Sequence, residues 1–208
     1  MRISNIVLPR LYPIIDAAAF PDTAALLRFA DDLLAGGATL LQYRNKLADA
    51  RNMLRQAKDL KTHVGGRAML IMNDRADLCL AAGFDGVHVG QDDLSPEAVR
   101  SIIGPELCLG LSTHNPEQLE AAEVSPADYI AIGPIFPTSS KQRPDPVVGL
   151  EGVRRARHLT RKPLVAIGGI KRANCRQVID SGADSVAVIS DLLTAPRKSA
   201  EEFFRLLR

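Results

Sequence analysis

LVAIGG from Leu164 and SVAVIS from Ser185 are two apolar runs rich in β-branched residues, and SGAD at residues 181–184 stands directly before the second run. Near-continuous hydrophobic runs of this kind predict buried strands of a parallel sheet that is covered on both faces. Gly182 is typical of the end of a helix, because glycine readily adopts the backbone conformation that a helix C-terminus requires. This stretch therefore predicts two parallel strands joined through a helix.

The same pattern recurs through the rest of the chain at a mean spacing of about 25 residues, which is near the length of one strand, loop and helix unit. Amphipathic helices are predicted between the strands, for example over 22–35 and 48–63. Eight such units predict an α/β fold in which residues 1–208 form a single (β/α)8 TIM barrel. A doubly wound sheet would need fewer strands and usually a Gly-x-Gly-x-x-Gly turn after its first strand, which this sequence lacks. The six further runs are LYPIID from Leu11, LLQYRN from Leu40, AMLIMN from Ala68, GVHVG from Gly86, CLGLS from Cys108 and YIAIGP from Tyr129.

Composition excludes several classes of partner. Lys plus Arg number 26 against 24 for Asp plus Glu, a net charge of +2 that is too balanced for a protein whose main partner is a nucleic acid. Three cysteines without a Cys-x-x-Cys pair indicate neither a disulfide framework nor a thiolate zinc site. Without a secretory signal or an apolar stretch long enough to cross a membrane, we expect a cytoplasmic protein. The sequence is compatible with a homo-oligomer and does not specify one.

In TIM barrels the active site lies at the carboxyl ends of the strands, so the residues at those ends carry the functional prediction. On the second strand, Gln42, Arg44 and Lys46 are spaced by two, which places their side chains on one face. Two cations and an amide on one face predict a site for an anion. The alternative is that Arg44 and Lys46 lie past the strand and extend over a helix.

The third strand ends in Asn73 and Asp74, and the fourth is followed by Gln91-Asp92-Asp93. Two carboxylates from neighbouring strand ends suit a Mg²⁺ that takes its other ligands from water and a phosphorylated substrate. For Asp74 the alternative is that it caps the helix that follows. Asp93 is harder to assign to a cap, because Ser95 and Pro96 already supply one for the next helix.

The fifth strand ends in Ser112, a potential anion ligand, followed by His114, for which a loop histidine without a partner is as good an interpretation as a functional one. The remaining histidines at 63, 88 and 158 have no metal-ligand spacing, and we interpret them as structural or exposed.

A long Pro-rich segment, 134–149, follows the sixth strand, and a loop of this length in a compact fold is typically functional. Its Thr138, Ser139, Ser140 and Lys141 can surround a phosphate or diphosphate, the alternative being a solvated Ser/Thr loop. Glycines after the seventh strand, and the turn after the eighth, predict a phosphate site on backbone N–H groups.

Together these stretches resemble the thiamine-phosphate synthase family over nearly the whole chain and in the expected order. The resemblance implies a barrel that joins 4-amino-2-methyl-5-(diphosphooxymethyl)pyrimidine to 4-methyl-5-(2-phosphooxyethyl)thiazole with Mg²⁺, releasing diphosphate. The segments that carry it are LQYRNK, IMNDRADL, DGVHVGQDDL, GLSTHN, ADYIAIGPIFPTSSK, VGLEG, VAIGGI and GADSVAVIS.

The resemblance also implies a role for individual residues. It implies that Asp74 and Asp93 bind Mg²⁺ and that Arg44, Lys46, Ser112 and Lys141 carry catalysis. The residues implied to bind the pyrimidine diphosphate are Gln42, Arg44, Lys46, Asn73, Ser112 and Lys141. Those implied to bind the thiazole phosphate are Thr138, Ser139, Ser140, Gly169, Ile189 and Ser190.

Two other functions stay open on the sequence alone. A thiazole tautomerase resembles this family in fold but does not need the Mg²⁺ pair, so the presence of both Asp74 and Asp93 argues against it. A barrel that binds phosphate ligands without catalysis is the other possibility, and an assay for diphosphate release distinguishes it.

Overall fold

A computed structural model describes residues 7–138 and 145–208. Its eight parallel strands pair in sequence order, and β8 pairs with β1 to close the barrel. The strands are β1 Leu11–Asp16, β2 Leu40–Arg44, β3 Met69–Asn73, β4 Gly86–Val89, β5 Cys108–Thr113, β6 Tyr129–Ile132, β7 Leu164–Ile167 and β8 Ser185–Val188. The helices are α1 Thr23–Ala35, α2 Ala50–Val64, α3 Ala76–Ala82, α4 Pro96–Ile103, α5 Pro116–Val124, α6 Gly149–Leu159, α7 Cys175–Asp180 and α8 Pro196–Leu206, with 3-10 turns at Ala17–Ala19 and Ser190–Leu192.

The predicted TIM barrel is confirmed, and each of the eight apolar runs forms a strand, with β5 extending one residue past its run to Thr113. The predicted helix over 22–35 begins one residue later, because Asp22 is its cap and accepts from the Ala25 N–H at 2.8 Å. Asp49 caps α2 in the same way. Short polar side chains thus set where these helices begin.

The strands separate two apolar layers. Outward-facing side chains pack under the helices, whereas inward-facing ones such as Tyr12, Leu40 and Ile71 fill the barrel. This division follows from the two-residue period of a strand, in which neighbouring side chains point to opposite faces. Among the helices in the described residues, none has the length and apolar character needed to span a membrane.

Three aspartates repeat one arrangement at the amino-terminal end of the barrel. Each precedes an even-numbered strand, accepts a backbone N–H bond of 2.8 Å from the strand before it, and pairs with a basic side chain of an even-numbered helix. Each one therefore ties two strands and a helix together, at the end opposite the predicted site. The sets are Asp85 with Leu70 and Lys61, Asp128 with Leu109 and Arg100, and Asp184 with Leu164 and Arg157.

We predict that Asp128→Ala lowers the free energy of unfolding by about 2 kcal/mol, because it leaves the Leu109 N–H and the Arg100 guanidinium without their carboxylate. Urea denaturation measures the loss. Asp180→Ala is the control, since it removes only an exposed pair with Arg176 and we expect a change below about 0.5 kcal/mol. Equal effects of the two substitutions would contradict the role assigned to Asp128.

Candidate functional site

The carboxyl ends of the strands surround a cavity of about 400 Å³. Every predicted site residue that the structure describes lines this cavity: Gln42, Arg44, Lys46, Asn73, Asp74, Asp93, Ser112, Thr138, Gly169, Ile189 and Ser190. The predictions for Ser139, Ser140 and Lys141 concern residues that lie outside the described part of the chain. Barrel closure has thus brought residues that are almost 150 positions apart in the sequence to one opening.

Strand β2 and the residues that directly follow it supply the basic side of the cavity. Gln42 is buried at 4% exposure, whereas the side chains of Arg44 and Lys46 are 21% and 50% exposed, so the three form a gradient from the barrel interior to the opening. Asn45 lies on the outer face, where its amide donates to Gln56 of α2 at 3.1 Å. The alternative interpretation was right that Lys46 lies past the strand, which ends at Arg44, but wrong that the two side chains extend over a helix, because both line the cavity.

Asp16 supports the site from outside the cavity lining, and the sequence predictions missed it. It ends β1 opposite Arg44 in the sheet register, and its Oδ2 accepts from the Arg44 guanidinium. Its side chain also accepts from the Ala18 N–H at 3.2 Å, which fixes the carboxylate. Asp16 therefore holds Arg44 at the opening, and a carboxylate directly after the apolar run LYPII was the signal for it.

Asp74 does not cap a helix. Helix α3 begins at Ala76 without a side-chain cap, and Asp74 adopts a left-handed backbone with φ of 63°. Its backbone N–H donates to the His88 carbonyl at 2.7 Å, while its side chain accepts from the Lys46 ammonium. Because few residues other than glycine adopt this conformation, the strained backbone at Asp74 favours a functional role for its side chain.

Burial raises the pKa of Asp74; Lys46 opposes this shift, and the nearby Asp93 carboxylate reinforces it. Asp93 in turn accepts from the Gly90 N–H at 2.7 Å. Two carboxylates that repel each other at one opening suit a cation between them. The residues described contain no cluster of three or more His, Cys, Asp or Glu that could hold a metal alone.

A buried polar chain crosses the barrel beneath the opening. Gln42 Nε2 donates to the Tyr12 hydroxyl at 3.0 Å, and that hydroxyl lies 2.8 Å from the Tyr129 hydroxyl. His88 continues the chain, with Nδ1 at 2.9 Å from the Tyr129 hydroxyl and Nε2 at 2.8 Å from Ser112 Oγ. Of the two predicted roles, structural or exposed, the structure excludes the exposed one, since His88 is buried; that it also lines the cavity was hidden by its position inside an apolar run.

Gly110 makes room for this chain. A Cβ at Gly110 would lie 2.2 Å from the Tyr129 ring and 2.3 Å from His88 Nδ1, far inside van der Waals contact. The Tyr129 and His88 rings stack with centroids 5.4 Å apart. Any side chain at Gly110 would therefore separate the two groups.

The turns after β7 and β8 are joined to each other. Asp191, after β8, accepts from the Arg172 backbone N–H, after β7, at 2.8 Å; within the turn after β7, Asn174 donates to the Gly169 carbonyl at 3.1 Å. Gly169 has φ of 64°, and a Cβ there would lie 2.6 Å from the Pro137 carbonyl oxygen. A side chain at Gly169 would thus disturb the loop after β6 as well as any phosphate beside Gly169.

His114 has partners, unlike the unpaired loop histidine considered from the sequence. Its Nδ1 lies 2.6 Å from the Gly133 carbonyl oxygen, and its Nε2 lies 3.5 Å from Asp145. Gly133 and Asp145 stand on the two sides of the segment 139–144, so His114 contacts both described parts of the loop between β6 and α6.

Comparisons with known proteins agree on one family. The family described as "Thiamine monophosphate synthase" matches residues 11–192. A thiamine-phosphate synthase of Koribacter versatilis is 60% identical over 98% of both chains, and one of Chlorobium phaeovibrioides is 44% identical over 85% of this chain and 86% of its own. The solved structure of a thiamine phosphate pyrophosphorylase from Pyrococcus furiosus superposes with a TM-score of 0.85 at 35% identity, covering 95% of each chain.

We predict that acid destabilises the fold through His88. Burial lowers the pKa of His88 to about 4, from 6.5 for an ordinary histidine, so between these values the unfolded chain binds a proton that the folded chain does not. Stability is therefore lost as the pH falls from 6.5 to 4, by about 3 kcal/mol for this group. Urea denaturation at several pH values measures the loss. We expect His88→Gln to reduce the pH dependence and His158→Gln, at an exposed position, to leave it unchanged; an identical pH profile for His88→Gln and wild type would contradict the prediction.

Proposed function

Because the chain belongs to the thiamine monophosphate synthase family, we propose that its barrel opening joins 4-amino-2-methyl-5-(diphosphooxymethyl)pyrimidine to 4-methyl-5-(2-phosphooxyethyl)thiazole, a transferase reaction that gives thiamine phosphate and diphosphate. The observation that carries the proposal is the single cavity that combines two cations, two close carboxylates and a glycine turn. These groups match a diphosphate, a divalent cation and a second phosphate.

The burial gradient along β2 supports one orientation of the pyrimidine substrate. Gln42 is uncharged and lies deepest, so it suits the uncharged ring. Arg44 and Lys46 lie nearer the opening and suit the diphosphate, whose charged non-bridging oxygens accept the hydrogen bonds that guanidinium and ammonium groups donate. In the structure Lys46 contacts Asp74, so a diphosphate would compete with that carboxylate for the ammonium.

Asp74 and Asp93 would hold Mg²⁺, the metal expected for this family. When bound, the ion supplies positive charge that offsets the charge developing on the leaving diphosphate. Burial raises the pKa of Asp74 and the neighbouring Asp93 carboxylate adds to the rise, which supports this assignment, because two close and partly buried carboxylates are more stable with a cation than without one.

The remaining chemistry requires little proton transfer by the protein. The thiazole nitrogen already has a lone pair, so its attack requires no general base, and the barrier lies in expelling diphosphate from the pyrimidine methylene. Arg44, Lys46 and Ser112 stabilise that leaving group electrostatically, and Lys141 is proposed to join them. Holding both substrates in one cavity adds the advantage of proximity.

We place the thiazole phosphate at the turns after β7 and β8. Gly169 has no side chain to exclude a phosphate, and Ser190 begins the short 3-10 turn beside it. Thr138 and Ile189 line the same part of the cavity, and Ser139 and Ser140 are proposed to add hydroxyl groups. The turns after β8 and β7 lie two and three strands round the barrel from β2, and they line the same cavity, so the two substrates would meet within it.

We predict that the wild-type protein releases diphosphate from the two substrates only with Mg²⁺, and that Asp74→Ala and Asp93→Ala each lower kcat by roughly 100-fold, the effect of losing about 3 kcal/mol of transition-state stabilisation. Asp92→Ala is the matched control, because Asp92 lines the same cavity and is not a proposed ligand.

Diphosphate release over a Mg²⁺ titration is the measurement for these variants. Wild-type protein that binds both substrates without releasing diphosphate would favour a non-catalytic barrel. Full turnover by either alanine variant would show that the carboxylate concerned does not hold the metal.

A further inference from the structure

We propose that the buried chain from Gln42 to Ser112 carries its hydrogen bonds in one direction, so that the cavity meets the Gln42 carbonyl oxygen at one end and the Ser112 hydroxyl proton at the other. Tyr12, Tyr129 and His88 are then positioning residues, which act on the reaction by fixing what the two end groups can donate or accept. The inference deepens the proposed function and rests on it.

The number of protons in the chain limits it to two possible directions of hydrogen bonding. Tyr12 and Tyr129 are 1% and 0% exposed, and each phenol has one proton to place between two neighbours in the chain. A neutral imidazole has one N–H, so His88 donates on one side and accepts on the other. Because a buried hydroxyl without a partner is costly, all the bonds must run from Gln42 to Ser112 or all must run in reverse.

The two directions differ in what Gln42 and Ser112 offer to the cavity. If the bonds run from Gln42, its amide N–H groups face inwards, His88 carries its proton on Nε2, and Ser112 accepts from that proton. The Ser112 hydroxyl then has its own proton free for the cavity, and the Gln42 oxygen is free to accept. If the bonds run in reverse, Ser112 donates to His88 and offers the cavity only lone pairs.

The donors and acceptors of the pyrimidine substrate select one of these directions. A diphosphate offers acceptors, so a Ser112 beside it must donate. The amino group of the pyrimidine is a donor, so a Gln42 beside it must accept. When the bonds run from Gln42 to Ser112, Ser112 can donate to the diphosphate and Gln42 can accept from the amino group. When they run in reverse, neither contact can form. The contact in which Gln42 Nε2 donates to Tyr12 at 3.0 Å has this same direction.

The consequence is a coupling between recognition and catalysis. The free chain already has the amide nitrogen of Gln42 towards Tyr12, and an amino group that engages the Gln42 oxygen keeps it there. Binding of the pyrimidine thereby stabilises the direction that leaves the Ser112 hydroxyl proton free for the leaving group.

The first test reads the tautomer of His88 directly. Long-range ¹H–¹⁵N NMR of the full-length protein at pH 7 distinguishes a protonated Nε2 from a protonated Nδ1, and the signal lost in His88→Gln assigns the residue. We expect the proton on Nε2, both in the free protein and with Mg²⁺ and inorganic diphosphate added. A proton on Nδ1 in the diphosphate-bound protein would overturn the proposal.

The second test is a double-mutant cycle. Tyr129→Phe keeps the ring and removes one link, and we expect it to lower kcat about tenfold while leaving the KM for the thiazole phosphate unchanged. In a Ser112→Ala background the same substitution should lower kcat less than twofold, because the group it orients is absent. A full tenfold loss in both backgrounds would overturn the coupling.

Tyr43→Phe is the matched control. Tyr43 is also a fully buried strand tyrosine, but it faces outwards and its hydroxyl donates to Gln56 of α2 at 2.7 Å. We expect it to retain wild-type kcat, and melting curves verify that each variant is folded. Failure of the proposed function would appear as absent turnover in the wild type, whereas failure of this inference would leave wild-type turnover intact.

Discussion

Pairing between β8 and β1 is the constraint on which the site depends. Because all eight strands are parallel, closing the sheet places eight carboxyl ends around one opening and eight amino-terminal ends around the other. The ion pairs and backbone hydrogen bonds of Asp85, Asp128 and Asp184 stabilise the second end, so the polar and charged groups of the first end are available to bind a ligand. The division between stability and function therefore follows from the direction of the strands.

Electrostatic pairing keeps the opening ordered before a substrate arrives. Asp16 holds Arg44 and Asp74 contacts Lys46, so the two cations are already positioned where the diphosphate is proposed to bind. Asp16 lies outside the set of cavity-lining residues and keeps its partner in place, whereas Asp74 shares its cation with the cavity. The Asp16–Arg44 pair thus orients the Arg44 guanidinium, whereas the Asp74–Lys46 pair can exchange its partners for a ligand.

Much of this arrangement was predictable from the sequence. The apolar runs predicted the strands, because a two-sided parallel sheet requires continuous hydrophobic stretches, and the alternation of Gln42, Arg44 and Lys46 predicted that they share a face. Asp74 was ambiguous, since a carboxylate before a helix is usually a cap; only its left-handed backbone and its contact with Lys46 removed that alternative.

The buried chain was not predictable in the same way. Tyr12, His88 and Tyr129 lie inside the runs LYPIID, GVHVG and YIAIGP, where inward-facing polar groups cannot be told from ordinary core residues. Their partners stand on other strands, up to 117 positions away for Tyr12 and Tyr129, and only barrel closure brings them together. Hydrophobic periodicity reports which face a residue occupies, but not which residue lies opposite it.

A crystal structure with Mg²⁺, diphosphate and thiamine phosphate tests the placement of both substrates most directly. We expect the diphosphate on Arg44 and Lys46 with Mg²⁺ on Asp74 and Asp93, and the phosphate of thiamine phosphate beside Gly169 and Ser190. A diphosphate bound at the β7 and β8 turns, or Mg²⁺ held away from both carboxylates, would contradict this arrangement of the site.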